Sequence, residues 1–318
     1  MSLPQGISIE HQPLVRSGPR STNRQRRLNS VLTVMLVAVV SIAPLLLGSN
    51  RPFFWGVWAA VIGALALIYL SVLLLRGESL RMPLGRLWLP ALLLVALLVF
   101  LGLQMAPIAT TFISLTGDTV ASATLSLAPS STWLTLLQWA TYGLFFFLML
   151  QVAANRSRAR RISVALFVVV LAHALYGLAA LMLLDDSLLF FSKWAYEGFA
   201  TGGFVNRNSF ATFLAFGLVL GVLLAARDLK EGGSRSNAAM LLAGSALILA
   251  TLVATGSRMG LLSGLVGAAL AALMAGARGE KTARTGSLLL AAITVIAAIA
   301  VIVLYGAATF DRLGSLEN

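Results

Sequence analysis

Three short segments of this chain carry residue types that bind anions and sugars. The first is Gly202-Gly203-Phe204-Val205-Asn206-Arg207-Asn208-Ser209-Phe210-Ala211, which closes a polar stretch and opens an apolar one. Asn208 or Ser209 is suited to cap a helix there. Two asparagine amides and the Arg207 guanidinium then stand at a helix N-terminus, where the dipole favours negative charge. A phosphate or a sugar hydroxyl suits such a group; the alternative is a capped helix with an interfacial arginine. The second segment, Thr255-Gly256-Ser257-Arg258-Met259-Gly260, predicts a tight turn, with Gly256 supplying the backbone freedom. Arg258 is the only charged residue between Arg235 and Arg278. A charge beside long apolar runs is costly and usually faces an interior or an aqueous cavity. Guanidinium binds phosphate oxygens two at a time, so Arg258 is a candidate phosphate clamp. The alternative is an arginine snorkelling to lipid head groups. The third segment, Pro44 to Pro52, holds the turn residues Gly48, Ser49 and Asn50. Its Arg51 could join a basic cluster with Arg207 and Arg258, or sit alone at an interface. The candidate catalytic residues are therefore Arg258 and Arg207. The candidate substrate-binding residues are Asn206, Asn208, Arg51 and Ser257.

Other polar residues carry weaker signals. Asp185, Asp186 and Glu197 could serve as a base or bind a cation, or simply form a solvated loop face. His173 lies inside an apolar run, where an ionisable residue is a functional candidate; the plainer reading is a neutral histidine bonded to a neighbouring helix. The chain has no cysteine and two histidines, His11 and His173, so thiolate chemistry is excluded and no metal site is expected. Walker, GxGxxG and HExxH motifs are missing from the sequence, so no cofactor is expected.

The elements that must position these residues are transmembrane helices. The 318 residues are 59% hydrophobic and 11% charged, with a mean hydropathy of +0.92. Soluble domains carry about 25% charged residues, so lipid must solvate much of this surface. Nine apolar runs near the ~20 residues needed to cross a bilayer fall at about 29–48, 54–75, 87–106, 133–153, 162–184, 209–226, 238–255, 259–276 and 287–306. None alternates with period two, so helices rather than a barrel are expected. The fold class is thus an all-α polytopic bundle of about nine spans. Residues 1–27 read as a disordered basic tail, 28–308 as the membrane domain, and 309–318 as the start of an external loop.

Charge sets the orientation. With the N-terminus cytoplasmic, 18 of the 23 lysines and arginines fall in inside segments and five outside. The net charge of +12 is thereby a topology signal, and no nucleic-acid partner is expected. The three candidate segments all lie on the outer side. Two outer loops, near 107–132 and 185–208, are long, and long loops tend to be functional. The first reads as a bland polar loop that could also meet carbohydrate.

Gly203 to Ala211, followed about 45 residues later by Thr255 to Gly260, resembles the O-antigen ligase and polysaccharide polymerase superfamily. Pro44 to Pro52 and Leu125-Ser126-Leu127-Ala128-Pro129-Ser130-Ser131-Thr132 resemble its exopolysaccharide polymerase branch. The resemblance runs in order from about residue 40 to 275. It implies a multi-pass protein of a bacterial inner (plasma) membrane, working at that membrane's outer face. It implies transfer of a glycan from an undecaprenyl-diphosphate donor to an acceptor sugar hydroxyl, on lipid A-core in ligases or on a growing glycan in polymerases. Arg258, with Arg207, would take the diphosphate-binding role. It also implies a large outer loop and further helices beyond Asn318, so the chain is expected to be a C-terminally incomplete form of the enzyme. The competing readings are a carrier or flippase for a lipid-linked glycan and a non-catalytic fragment.

Overall fold

Long apolar runs bounded by proline, glycine and basic residues form helices, and the boundaries follow local chemistry. The computed structural model describes residues 23–108, 110–113, 117–230 and 234–276. Among these, eight helices are long and apolar enough to cross a membrane. They are α1 (Asn23–Ile42), α2 (Pro52–Leu75), α3 (Trp88–Gln104), α4 (Pro129–Ala153), α5 (Arg156–Leu183), α6 (Arg207–Lys230), α7 (Arg235–Ala254) and α8 (Arg258–Gly276). The expected ninth span at 287–306, most of the basic tail and the segment 309–318 lie outside the described residues.

The protein is an all-α polytopic bundle, as expected, with several boundaries corrected. Helix α1 begins at Asn23, so Asn23 to Arg27 are helical rather than part of a disordered tail. Arginine is a good helix former and can reach water from a membrane helix end. The same helix stops at Ile42, short of the expected residue 48, because Pro44 cannot continue it. Helix α5 begins six residues earlier than expected, at Arg156. The Asn155 side chain accepts a hydrogen bond from the Arg158 backbone N–H at 3.0 Å and caps that end. The loop near 107–132 is not featureless: Thr110–Ile113 (β1) and Thr119–Ser122 (β2) pair antiparallel, Thr110 opposite Ser122.

Two apolar cores divide the bundle. One joins α1, α2 and α4 with the start of α5, around Leu36, Ile62, Tyr69, Leu148 and Ile162. The other joins α5 to α8, around Phe167, Phe210, Leu214, Ile248, Leu252 and Leu265. Helix α5 contributes to both and links them. Several buried polar side chains between these helices are bonded, as an apolar interior favours. Asn29 donates to the Gln25 carbonyl at 2.7 Å and accepts from Tyr69 Oη at 3.4 Å. The Gln151 amide holds both the N–H and the carbonyl of Met82, at 3.1 and 3.0 Å, and pins the turn between α2 and α3. Arg160 at the start of α5 pairs with Asp228 near the end of α6 at 2.7 Å.

Candidate functional site

Glycines set the geometry of the site. Along the contact between α6 and α8, a methyl group added at Gly260 would overlap Cβ of Ala211. At Gly264 it would lie 3.2 Å from Cβ of Ala215, and at Gly267 2.7 Å from Cγ2 of Val219. The numbers rise together on both helices, so the two run parallel in close backbone contact, as small residues spaced three or four apart allow. Two consequences follow. Their N-termini lie at the same end of the bundle, the end that the charge distribution assigns to the outer face. Each helix also opens on an arginine: Arg207 begins α6 and Arg258 begins α8. Two aligned positive dipole ends, each opening on an arginine residue, therefore lie at the same end of the bundle.

Both N-termini are capped from within the sequence motifs. The cap expected at Asn208 or Ser209 lies instead at Asn206. Helix α6 starts at Arg207, and it is Asn206 whose Oδ1 accepts from the Asn208 N–H at 2.7 Å. An asparagine outside the helix can accept from a backbone donor two residues on, which Asn208 inside the first turn cannot do. Asn208 and Ser209 are exposed. At α8, Ser257 Oγ accepts from the Gly260 N–H at 3.2 Å. Thr255 Oγ1 accepts from the Ser257 N–H at 3.1 Å and donates to the Leu252 carbonyl at 2.6 Å. Gly256 takes φ +61 in this turn, a left-handed conformation that glycine adopts at little cost. Ser257 is buried and Arg258 half-buried.

The structure brings Arg207 to the Gly256 turn. A methyl at Gly256 would lie 2.9 Å from Arg207 Nη1 and 2.7 Å from Phe199 Cδ1. The guanidinium carbon stands 4.2 Å from the centre of the Phe199 ring and 5.5 Å from that of Tyr196. Aromatic faces hold a cation without neutralising it. Arg207 Nε is buried and has no hydrogen-bond partner among the described residues. Phe199 and Tyr196 are the neighbours of Arg207 that sequence reading missed; only proximity in space distinguishes them from an ordinary aromatic belt.

A buried ion pair fixes Phe199. Lys193 Nζ donates to Asp186 Oδ1 and to the Phe199 carbonyl, both at 2.6 Å, and its side chain is only 4% exposed. Asp186 Oδ2 accepts from the Gly198 N–H at 2.7 Å. The next residue, Ala200, donates its N–H to the Ala254 carbonyl at the end of α7, at 2.9 Å. The solvated-face reading of Asp186 is thus corrected: it is the acceptor that anchors this loop. Removing one member leaves the other charge without its partner. Lys193→Met should therefore lower stability by about 1–3 kcal/mol, seen as a reduced unfolding temperature of the membrane-reconstituted protein.

The first outer hairpin reaches the same motif. It consists of two 3-10 turns, Ala43–Leu45 and Leu47–Ser49, held by Ser49 and the indoles of Trp55 and Trp58. A methyl at Gly203 would lie 2.6 Å from the Pro44 carbonyl oxygen, and one at Gly48 2.6 Å from the Phe204 ring. All three motifs therefore meet as segments. Arg51 itself is exposed at the start of α2. Beneath this junction lies a cavity of about 370 Å³, lined mainly by apolar groups such as Val39, Pro44, Trp58, Phe145, Phe204 and Phe213. His173 lies apart from the site. Its Nδ1 bonds the Val169 carbonyl of its own helix at 2.8 Å, not a neighbouring helix, and its ring meets Phe213 edge-on.

The Gly256 contact gives a sharp expectation. Gly256→Ala places a methyl where Phe199 and Arg207 now stand, so it should displace the guanidinium while leaving the helices intact. Misplacing a charge by about 1 Å can cost about 10²-fold in a reaction that needs it. Ligand binding or turnover should fall while the helical circular dichroism stays unchanged. No protein-family model matches the chain, and neither a curated protein nor a solved structure matches it.

Proposed function

We propose that this multi-pass membrane protein moves a glycan from undecaprenyl diphosphate to an acceptor sugar hydroxyl at the outer face of a bacterial inner membrane. The carrying observation is the parallel pairing of α6 and α8, each opening on an arginine. In the transfer, the acceptor oxygen bonds to the anomeric carbon of the donor. The bond from that carbon to the diphosphate oxygen breaks with its electron pair, and the hydroxyl proton is released. Negative charge grows on the diphosphate as the bond breaks. Arg258 and Arg207, aided by the two helix dipoles, would stabilise that charge. Asn206, Asn208, Ser257 and Arg51 would contact the donor or acceptor around them. The carrier bond is already activated, so the chemistry needs no nucleotide.

Two further features support a lipid-borne donor. The half-buried arginines sit at helix ends in a bundle whose outer surface is apolar, the depth at which a lipid diphosphate presents itself. The apolar cavity under Phe204 has a size within the ~300–1,000 Å³ range of ligand sites and suits a hydrocarbon chain. The test is reconstitution with an undecaprenyl-diphosphate-linked glycan and an acceptor. Product glycan together with free undecaprenyl diphosphate supports transfer. Movement of intact donor across the bilayer, with no glycosidic bond formed, would make the protein a carrier instead.

A further inference from the structure

We propose that the hairpin Leu188–Phe191, between α5 and α6, is a membrane-dipping element whose Phe190 and Phe191 lie among the acyl chains of the outer leaflet. The argument starts from its backbone. Leu188 and Phe191 exchange N–H to carbonyl bonds at 2.9 and 3.0 Å, which leaves Leu189 and Phe190 as a two-residue turn. Such turns in water are built from asparagine, aspartate and glycine. Here Leu189 is held at φ +56, a conformation that costs any residue with a Cβ. An apolar residue in a strained tip signals an environment that rewards its side chain. Phe190 is 96% exposed and Phe191 is largely exposed, so nothing within the described chain covers them.

The depth of the tip identifies what does. The Leu189 N–H donates to Tyr176 Oη at 2.9 Å. Tyr176 lies two turns before the end of α5 at Leu183, about 10 Å back along the axis at ~1.5 Å per residue. The loop therefore leaves α5 and folds back beside it. The basic residues of α5 end at Arg161, and about 20 apolar residues from Ile162 are needed to cross the hydrocarbon. That span ends near Leu181, which puts Tyr176 and the hairpin tip inside the outer boundary of the hydrocarbon. The tip's own backbone bonds, and its bond to Tyr176, satisfy five of its eight backbone polar groups with protein, which lowers the cost of that depth. Met182, Leu183 and Trp194 extend the exposed apolar surface beside it. Of the charges in this loop, Asp186 and Lys193 pair with each other and with the backbone at Gly198 and Phe199, while the exposed Asp185 and Glu197 border a pocket that Leu189, Phe190 and Phe191 also line. The pair of Asp186 and Lys193 ties the base of the hairpin to the residue that stacks on Arg207.

The chain has no cysteine, so Phe190→Cys and Phe191→Cys each create a single attachment point for a nitroxide in the full chain in phospholipid bilayers. Collision with dissolved oxygen, which concentrates in lipid, is compared with collision with a nickel chelate, which stays in water. Val95→Cys, exposed midway along α3, serves as the lipid control, and Asp118→Cys in the outer β-hairpin loop as the aqueous control. The oxygen-to-nickel ratio at 190 and 191 should exceed that at 118 several-fold and approach that at 95. A ratio at both positions equal to that at 118 overturns the proposal. So does exclusion of both reagents, which would mean that a second copy or another protein covers the hairpin. The readout does not depend on glycan transfer, so it stands or falls apart from the proposed reaction.

Discussion

Arg258→Ala should reduce glycan transfer by about 10²–10³-fold, the usual cost of removing one group that stabilises developing charge. Protein level and helical content should hold, because Arg258 is the first residue of α8 and the Ser257 cap remains in place. The measurement is polymer or product formation by the variant at matched membrane abundance. Arg207→Ala should fall in the same range, with a difference in character. Arg207 is held between Phe199, Tyr196 and the Gly256 turn, so lysine at that position restores the charge but not the planar stacking. Arg207→Lys should therefore recover only part of the lost activity.

Gly260→Val should be the most damaging single change to the fold around the site. Its Cβ would overlap Cβ of Ala211, and the added methyls would wedge α6 from α8 just below both arginines. Overpacking of this kind costs about 1–3 kcal/mol, and here it acts on the contact that aligns the two N-termini. The expected result is a lower unfolding temperature together with loss of transfer. Gly264→Ala is the graded comparison. One turn deeper, its methyl would meet Leu252 Cδ2 at 3.0 Å, which a side-chain shift can relieve, and Ala215 Cβ at 3.2 Å, which needs only a few tenths of an ångström of backbone give. It should lower stability less and leave transfer measurable. Equal tolerance of both substitutions would mean that close approach of α6 and α8 does not matter.

The contrast between these variants reflects what the sequence could and could not reveal. Apolar run length predicted eight of the spans that the structure describes, because satisfying backbone groups in lipid leaves helices as the simple solution. It misplaced ends such as Asn23 and Arg156, since arginines that lie beyond the hydrocarbon still extend a helix. The three outer motifs were legible as glycines, asparagines and arginines in loops. Their convergence was not. It depends on Gly203 admitting the Pro44 carbonyl and on Gly256 admitting Arg207, and close approach between distant segments leaves no periodic trace. The roles of Lys193 and Asp186 were hidden for the same reason: a charged residue in a loop reads as solvated until its partner is located. Phe199 was hidden too, because an aromatic near an interface has an ordinary explanation.

The most direct measurement of the central claim, that the paired α6 and α8 N-termini form a diphosphate site, is binding of undecaprenyl diphosphate to the purified chain in lipid nanodiscs. Saturable binding should be weakened at least about tenfold, roughly the 1.4 kcal/mol expected of one lost charge-assisted bond, in both Arg207→Ala and Arg258→Ala. Undecaprenol, which lacks the diphosphate, should bind the original chain and both variants alike. Equal binding of the diphosphate by the original chain and both variants would contradict the account.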